Sequence, residues 1–369
     1  MRDAFALGSD DVQESPIESV PGTVRGFARV LIDAGGRPPG DWDIATDATP
    51  GRVQSLYRRT IPTGIRHGTV TVLFGRTRFE VTTFRTDSGY SDGRRPDSVR
   101  FAGTIEEDLA RRDFTINAIA VDLDSGALRD PHGGRADLTA RRLRTVGSAP
   151  ERFAEDGLRP FRGCRLAAEL NLTVDAHTVR AMRDAVPTAR RVAAERICEE
   201  LRRLLASPTP SVGLRLLERS RLMGLCFPAP GGTEPGPSTD RAARYDRIDS
   251  TPADVACRLA MLLAPEAATD APAAAVRARA ALSRLRFPNA AIHRVVAAIA
   301  SLAIPIAADS SDADIRRLLS AIGRDGTADA IAVRQAIGTI DVPLAQRMRA
   351  QAARPPTRSR SRACQSGCC

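Results

Sequence analysis

Residues 40–50 read GDWDIATDATP and follow a turn-forming Pro/Gly-rich segment at 37–40. In a β-strand, side chains two residues apart point to the same face. Asp41 and Asp43 are therefore expected side by side, with the residues between and after them turned toward a core. Two adjacent carboxylates repel each other unless a cation lies between them, and Mg²⁺ favours such oxygen ligands. The alternative interpretation is a solvated loop with two surface acids, since this spacing is common.

Composition and charge narrow the class of protein. A length of 369 residues predicts two or three domains. All 54 basic residues are arginine, and the net charge of +10 favours a polyanionic partner, most simply nucleic acid. No apolar run approaches the roughly 18 residues of a membrane span, and the N-terminus lacks a signal-peptide pattern. We therefore expect a cytoplasmic protein without a membrane partner.

The seven cysteines do not indicate disulfides. Four of them stand singly in apolar segments and are expected to be small buried residues. These are Cys164, Cys198, Cys226 and Cys257.

The N-terminal half has the pattern of a small mixed sheet. Residues 68–84 (GTVTVLFGRTRFEVTTF) predict a β-hairpin around Gly75. The polar, turn-rich segment 85–100 is expected to be a mobile loop. Thr104 and Glu107 form a Thr-x-x-Glu capping box that opens a helical pattern running to about residue 122.

The C-terminal half is almost wholly helical by pattern from about residue 151. Breaks are predicted at 207–210, at 227–239 and near 354–356, where proline and glycine collect. The fold class is therefore α+β, with a mixed-sheet domain followed by helical domains.

Three further groups of residues could carry chemistry. Glu80, on the second hairpin strand, could supply a third carboxylate to Asp41 and Asp43, as in sites that bind two Mg²⁺ ions. The alternative is a solvated glutamate on an edge strand.

The second group lies in EDGLRPFRGCRL, residues 155–166. Asp156, Arg159, Arg162 and Arg165 recur every three residues and would stay near one helix face, although Pro160 could kink the helix. A carboxylate and a guanidinium can hydrogen-bond a base edge, and further arginines can hold phosphates. An ordinary charged helix face is the alternative.

The third group lies in DLARRDFTINAIA, residues 108–120. Arg111, Arg112 and Asp113 form a compact polar cluster, and Asn117 could orient a ribose or brace the loop. Taken alone, the segment could be a capped helix start.

Together and in this order, these motifs resemble the class II tRNA nucleotidyltransferase / poly(A) polymerase family. The matching stretches are GDWDIATDATP (40–50), TIPTGIRHGTVTV (60–72), FEVTTFR (79–85), YSDGRRPDSVRF (90–101), DLARRDFTINAIA (108–120), DPHGGRADL (130–138), RFAEDGLRPFR (152–162) and ERICEELRRLL (195–205). The resemblance is strong over about 37–205 and vaguer to about 345.

The resemblance implies a role for each group. Asp41 and Asp43 would bind catalytic Mg²⁺, with Glu80 as the third carboxylate. Arg112 would contact the nucleotide, with Arg111, Asp113 and Asn117 in support. Asp156 and Arg159 would pair with the base edge of CTP or ATP, and Arg162 and Arg165 would hold its phosphates. Residues 86–97 match the loop linked in this family to the switch from C to A addition.

The implied domain order starts with a disordered segment at 1–20. A nucleotidyltransferase head at 21–138 and a helical neck for base recognition at 139–206 follow. A tRNA-binding helical body and tail (207–350) and a disordered basic tail (351–369) complete the chain. The implied activity is addition of CCA to the tRNA 3′ end, with tRNA, CTP and ATP as partners and no obligate protein partner.

The sequence departs from the family just before the two aspartates. Members carry a GG-x-V-R-D stretch there, and an ungapped alignment puts its glycines on Phe27 and Ala28 and its arginine on Leu31. Those glycines and that arginine would approach the triphosphate. The missing stretch makes a catalytically impaired RNA-binding relative one alternative. A poly(A) polymerase or a partial CC- or A-adding enzyme is another, because the motifs of these enzymes overlap.

Overall fold

The computed structural model describes residues 26–29, 43–75, 77–88, 98–228 and 239–354. Its α+β composition confirms the fold class expected from the sequence. The chain divides into two compact units at Ala242 and Ala243. The predicted boundaries at 138, 206 and 350 stay predictions.

The strands all belong to the first unit and form one seven-stranded sheet and two two-stranded sheets. Their bounds are β1 (Gly26–Arg29), β2 (Asp43–Thr46), β3 (Thr60–Gly64), β4 (Thr69–Phe74), β5 (Thr77–Thr83), β6 (Arg85–Ser88), β7 (Ser98–Phe101), β8 (Ala120–Asp122), β9 (Leu128–Arg129), β10 (Arg142–Leu143) and β11 (Thr173–Val174). The large sheet has the order β3-β4-β5-β2-β1-β8-β9. Among the described strands of this sheet, β2 and β5 are the one parallel pair.

Helices make up most of the described chain outside the strands, and several of them lie between strands of the first unit in chain order. Those of the first unit are α1 (Pro50–Leu56), α2 (Ile105–Ala110), α3 (Gly134–Thr139), α4 (Ala149–Glu155), α5 (Arg159–Leu170), α6 (Ala176–Asp184), α7 (Val186–Ala189), α8 (Ala194–Ala206), α9 (Pro210–Arg219) and α10 (Met223–Cys226). Helix α11 (Thr239–Asp249) contains the division. The second unit continues with α12 (Val255–Leu263), α13 (Ala271–Arg284), α14 (Asn289–Ser301), α15 (Asp312–Ile322), α16 (Arg324–Ala336) and α17 (Val342–Ala352). Short 3₁₀ turns occupy Ile65–His67, Thr115–Asn117 and Ala268–Asp270.

The hairpin predicted at 68–84 is confirmed as β4 and β5. Alternate residues of these strands pack against α1, which stabilises the hairpin. Val70, Val72, Phe79 and Val81 form one buried cluster with Val53 of α1. A second cluster brings Ala45 of β2 together with Leu109 of α2 and Ala120 of β8, among others. The consecutive strand residues Ile44 and Ala45 thus pack into different clusters.

The prediction of a loop at 85–100 is wrong for the two ends of this segment, which are β-strands. Residues Arg85–Ser88 and Ser98–Phe101 pair as antiparallel β6 and β7, in register Arg85↔Phe101 to Ser88↔Ser98. Residues with strand preference at these ends, including Val99 and Phe101, favour the pairing. The loop proper, 89–97, lies outside the described residues.

The prediction of one long helix from 104 to 122 is also wrong. Helix α2 ends at Ala110, and the capping box at its start is confirmed, with Thr104 accepting from the Glu107 N–H. Asp113 accepts the Phe114 N–H at 2.8 Å instead of leaving it to a helix. Side-chain acceptors of this kind compete with helical backbone bonds, so the chain turns and continues into β8.

The helical half confirms the predicted pattern, including the break before α9 at 207–210. Pro160, however, does not kink a helix: α5 begins at Arg159, so Pro160 lies in its first turn, where no N–H is needed. The four single cysteines are buried, as expected. Among the described residues, none of the helices combines the length and apolar composition needed to cross a bilayer.

Candidate active site

Two of the predicted carboxylate residues, Asp43 and Glu80, lie on neighbouring strands of the large sheet. Asp43 is the first residue of β2, and Glu80 of β5 is its register partner in the parallel ladder. The two strands predicted to carry the carboxylates are therefore neighbours. Glu80 is exposed, whereas Phe79 and Val81 on either side of it are buried. Asp41 lies outside the described residues.

The segment after α2 is organised by a buried carboxylate that the sequence pattern did not single out. Asp108 is 1% exposed and pairs with Arg111 at 2.6 Å and Arg112 at 2.9 Å. Burial alone would raise the pKa of Asp108, but the charges of Arg112 and Arg111 hold it below its ordinary value. Arg111 and Arg112 are thus oriented by one anion, which their spacing of three and four residues from Asp108 could have indicated.

Asp113 links this segment to helix α5. Its Oδ1 accepts the Asn117 amide at 3.0 Å, and its Oδ2 lies 2.8 Å from Nε of Arg162 in an ion pair. Burial alone would raise the pKa of Asp113, but Arg162, Asn117 and the Phe114 N–H lower it. The Asp113 charge in turn raises the pKa of Arg162. Arg162 remains 36% exposed, so part of its side chain faces outward.

Arg159 makes a second link to the same segment. Its Nη2 donates to the Arg111 carbonyl at 3.2 Å and its Nη1 to the Arg152 carbonyl at 3.0 Å. Nη1 also forms an ion pair with Glu155. Arg159 and Arg162 of α5 therefore both contact the segment that carries the predicted residues Arg111, Arg112, Asp113 and Asn117.

Asp156 lies in the turn between α4 and α5, with extended backbone. Its Oδ1 accepts the Leu158 N–H at 2.9 Å, and its Oδ2 pairs with Nη2 of Arg196 at 3.0 Å. Arg196 is in the first turn of α8 and was not singled out in the sequence. No local spacing could have indicated it, because 40 residues separate the two partners.

Arg165 differs from the other predicted arginines. Its side chain is 6% exposed and forms ion pairs with Glu169 on its own helix and, at 2.6 Å, with Glu200 of α8. Both ion pairs hold the Arg165 guanidinium between α5 and α8. Its predicted phosphate contact stays a prediction, and the buried pairs do not favour it.

A further buried carboxylate braces the end of the sheet domain. Asp137 of α3 is fully buried, accepts the Thr115 hydroxyl at 2.6 Å and pairs with Arg142 and Arg144 at 2.6 and 3.0 Å. Gly134 beside it has no room for a side chain, since a Cβ would come within 2.2 Å of the Thr115 carbonyl oxygen. Through Asp137 and Gly134, the DPHGGRADL motif thus packs against Thr115 and fixes the position of the segment that carries Asp113.

The segment where the sequence departs from the family forms part of the large sheet. Phe27 and Ala28 lie in β1, which pairs with both β2 and β8. Leu31 lies outside the described residues. Strand β1 thus holds β2, and with it Asp43, in the centre of the sheet.

Comparison with known proteins relates this geometry to a family. The family model for the poly A polymerase head domain matches residues 23–144, and that for the probable RNA and SrmB-binding site of polymerase A matches residues 171–230. The crystal structure of the Bacillus stearothermophilus CCA-adding enzyme in complex with CTP is similar over 89% of this chain and 78% of that chain, with 30% identity and a TM-score of 0.66.

This chain belongs to the class II tRNA nucleotidyltransferase family. The family consists of nucleotidyltransferases that are generally metal-dependent. A CCA-adding enzyme of Geobacillus thermodenitrificans is 45% identical over 210 residues, which are 57% of this chain and 51% of the relative. The chain spans about half the length of the curated relatives it matches. A Thermotoga maritima CCA-adding enzyme, solved with tRNA, shares the fold at 17% identity with a TM-score of 0.62.

Proposed function

We propose that this chain adds CCA to the 3′ end of tRNA without a nucleic-acid template, using CTP and ATP. One observation carries the proposal: Arg159 and Arg162 of α5 contact the Arg111–Asp113 segment at 3.2 and 2.8 Å. The arginines expected to read and hold the nucleotide therefore contact the segment expected to support it, which supports a single nucleotide site. Relatives named CCA-adding enzymes support the same activity.

In the proposed reaction, the tRNA 3′ hydroxyl attacks the α-phosphate of CTP or ATP. A P–O bond forms to the tRNA oxygen, the bond to the β-phosphate bridging oxygen breaks, and pyrophosphate leaves. The chain's contribution is to hold the two substrates in line and to balance charge on the phosphates.

Asp41 and Asp43 are proposed to hold Mg²⁺, with Glu80 as the third carboxylate. The donor set fits this ion, because the adjacent positions Asp43 and Glu80 offer hard carboxylate oxygens. When bound, Mg²⁺ would favour the ionised hydroxyl and neutralise phosphate charge.

Base choice is proposed to rest on Asp156 and Arg159. The Asp156 carboxylate can only accept hydrogen bonds and the Arg159 guanidinium can only donate them. Together they complement an edge that offers an amino group beside a ring-nitrogen acceptor, which cytosine and adenine share. Arg112 and the exposed part of Arg162 are proposed to contact the nucleotide phosphates. Arg165 is predicted for the same role but is held by Glu169 and Glu200.

The tRNA is proposed to be held mainly through its backbone and shape by arginines of the helical regions. The protein is proposed to work in the cytoplasm, where its substrates are found, and without a protein partner or a membrane.

A catalytically impaired RNA-binding relative is the second candidate. The presence of Phe27 and Ala28 where the family has glycines favours it. A side chain there limits close approach of the backbone to a triphosphate.

The test is nucleotide addition to tRNA that lacks its 3′ CCA, with each nucleoside triphosphate alone and mixed. We expect growth by three nucleotides, ending in A, only with CTP and ATP together. Growth beyond three nucleotides with ATP alone would identify a poly(A) polymerase, and growth by C or by A only would identify a partial enzyme.

Asp43→Ala separates catalysis from binding. We expect addition to fall by about 10³-fold or more, since a group that stabilises transition-state charge is lost, with tRNA affinity nearly unchanged. Asp124→Ala, which removes an exposed acid elsewhere in the sheet domain, is the matched control and should retain full activity. Binding of tRNA by an unaltered protein without any addition would favour the second candidate.

A further inference from the structure

The ion pair between Asp156 and Arg196 connects the proposed base-reading residue to a helix with no assigned role. Asp156 is 15% and Arg196 26% exposed, with their charged groups 3.0 Å apart. The pair is thus sheltered enough to hold its geometry and open enough for a ligand to reach the carboxylate. Each Asp156 oxygen accepts one bond, from Leu158 N–H or from Arg196, and a carboxylate oxygen can accept more than one.

Helix α8 contacts the segment of Asp156 and α5 at two points with opposite charges. Arg196 pairs with Asp156, and Glu200, four residues later on the same helix face, pairs with Arg165 at 2.6 Å. The Arg165 pair is deeper, because that side chain is only 6% exposed. Glu200 therefore anchors α8 to the interior of the layer, and Arg196 reaches the edge where the base is proposed to bind.

We propose, building on the proposed function, that Arg196 is a positioning residue that determines nucleotide choice by fixing the Asp156 carboxylate as an acceptor. Cytosine and adenine offer an amino group on the pairing edge, whereas uracil and guanine offer a carbonyl oxygen at the same place. A carboxylate held in one orientation attracts the amino group and repels the oxygen. Without Arg196, the Leu158 N–H is the one hydrogen-bond donor left to Asp156 among the described residues, and the carboxylate can turn away from the disfavoured base.

The experiment measures kcat/KM for CTP against UTP and for ATP against GTP in the full-length chain. In Arg196→Ala we expect these ratios to fall by about 10-fold or more, as for other small misplacements of a reacting group. Arg196→Lys keeps the charge but loses the planar fork, so an intermediate ratio is expected. Arg202→Ala removes the same charge from an exposed pair on the same helix and should leave both ratios unchanged.

A merely structural role is separated by repeating Arg196→Ala in an Asp156→Ala background. If Arg196 acts through Asp156, the second substitution should change the ratios by less than about twofold. Thermal unfolding of each variant identifies any that fail to fold, in which case Arg196→Lys carries the test.

Two results would overturn the inference alone: unchanged ratios in Arg196→Ala and Arg196→Lys of an active protein, or an equal loss with and without Asp156. Absence of any addition by the unaltered protein is a different result, because it defeats the proposed function first and the role of Arg196 with it.

Discussion

At the scale of single residues, buried carboxylates organise the proposed site. Asp108, Asp113 and Asp137 are each at most 7% exposed, and each is paired with arginine. An unpaired buried charge would be costly, and removing one partner of a buried pair typically costs several kcal/mol. The carboxylates of these three residues therefore fix the positions of arginines, whereas the Asp156 side chain is partly exposed.

The Asp113 pair gives a pH-dependent prediction. Its folded-state pKa lies below the ordinary 3.8, so the ionised form favours the folded state. This contribution is complete well above pH 3.8 and is lost as the pH falls through that value toward the lowered pKa. Asp113→Asn should lower the free energy of unfolding by roughly 2–4 kcal/mol at neutral pH, and by progressively less as the pH falls below 3.8.

Urea unfolding of Asp113→Asn and the unaltered protein across this pH range checks the prediction. Asp124→Asn, which changes an exposed acid, is the control and should stay close to the unaltered protein throughout. A stability difference that is the same at neutral and acid pH would show that the charge of Asp113 is not its source.

At the scale of elements, the junction of α4 and α5 sets the position of Asp156 and Arg159, the proposed base-reading residues. Gly157 lies between Asp156 and the start of α5, where a Cβ would come within 2.6 Å of the Thr188 carbonyl oxygen and 2.7 Å of the Ala189 Cα. These are backbone atoms that cannot rotate away. Gly163 likewise lets α5 approach the Phe114 ring, 2.9 Å from where a Cβ would stand. Close approach of the α4–α5 turn to α7, and of α5 to the Phe114 ring, therefore requires glycine.

Gly157→Ala should destabilise the protein by about 1–3 kcal/mol, since the added methyl forces the backbone apart. Gly51→Ala is the control: Gly51 lies in α1, where an added Cβ would have nothing within 4 Å, and the change should be neutral or slightly stabilising because alanine favours a helix. Thermal unfolding measures both. Equal midpoints for the two variants would contradict the packing argument.

The helices and strands also show which features a local sequence pattern can predict and which it cannot. The capping box at Thr104 and the hairpin at 68–84 were predictable because their residues act on near neighbours. The end of α2 at Ala110 was not, since the Asp113 carboxylate that accepts the Phe114 N–H there is itself held by an ion pair with Arg162 of a distant helix. The same holds for Arg165, whose helical spacing matched the other arginines but whose face is covered by α8.

At the scale of the whole molecule, charge is the dominant feature. The chain carries 54 basic and 44 acidic residues, and many of the arginines are used internally in the pairs described above. The net positive charge remains available for a polyanion, and binding that depends on backbone phosphates releases counterions and weakens with salt.

Affinity for tRNA should therefore fall by on the order of 10-fold or more between 50 and 200 mM salt. Asp43→Ala should give the same dependence, because catalysis and backbone binding are proposed to use different residues. Fluorescence anisotropy with labelled tRNA measures both proteins. An affinity that does not change with salt would contradict a binding mode based on phosphates.

The amino-acid sequence by itself determined the fold class, the family, the hairpin, the capping box that opens α2 and the candidate residues. Each of these depends on alternation, capping, or turn chemistry among residues close in the chain, or on motifs in a recognisable order. Only the tertiary structure decided that Glu80 is the register partner of Asp43, that Arg196 holds Asp156, and that Arg165 is enclosed by Glu169 and Glu200. Most of these pairs join residues 35 to 40 positions apart, and their contacts follow from which face each helix or strand buries against its neighbours.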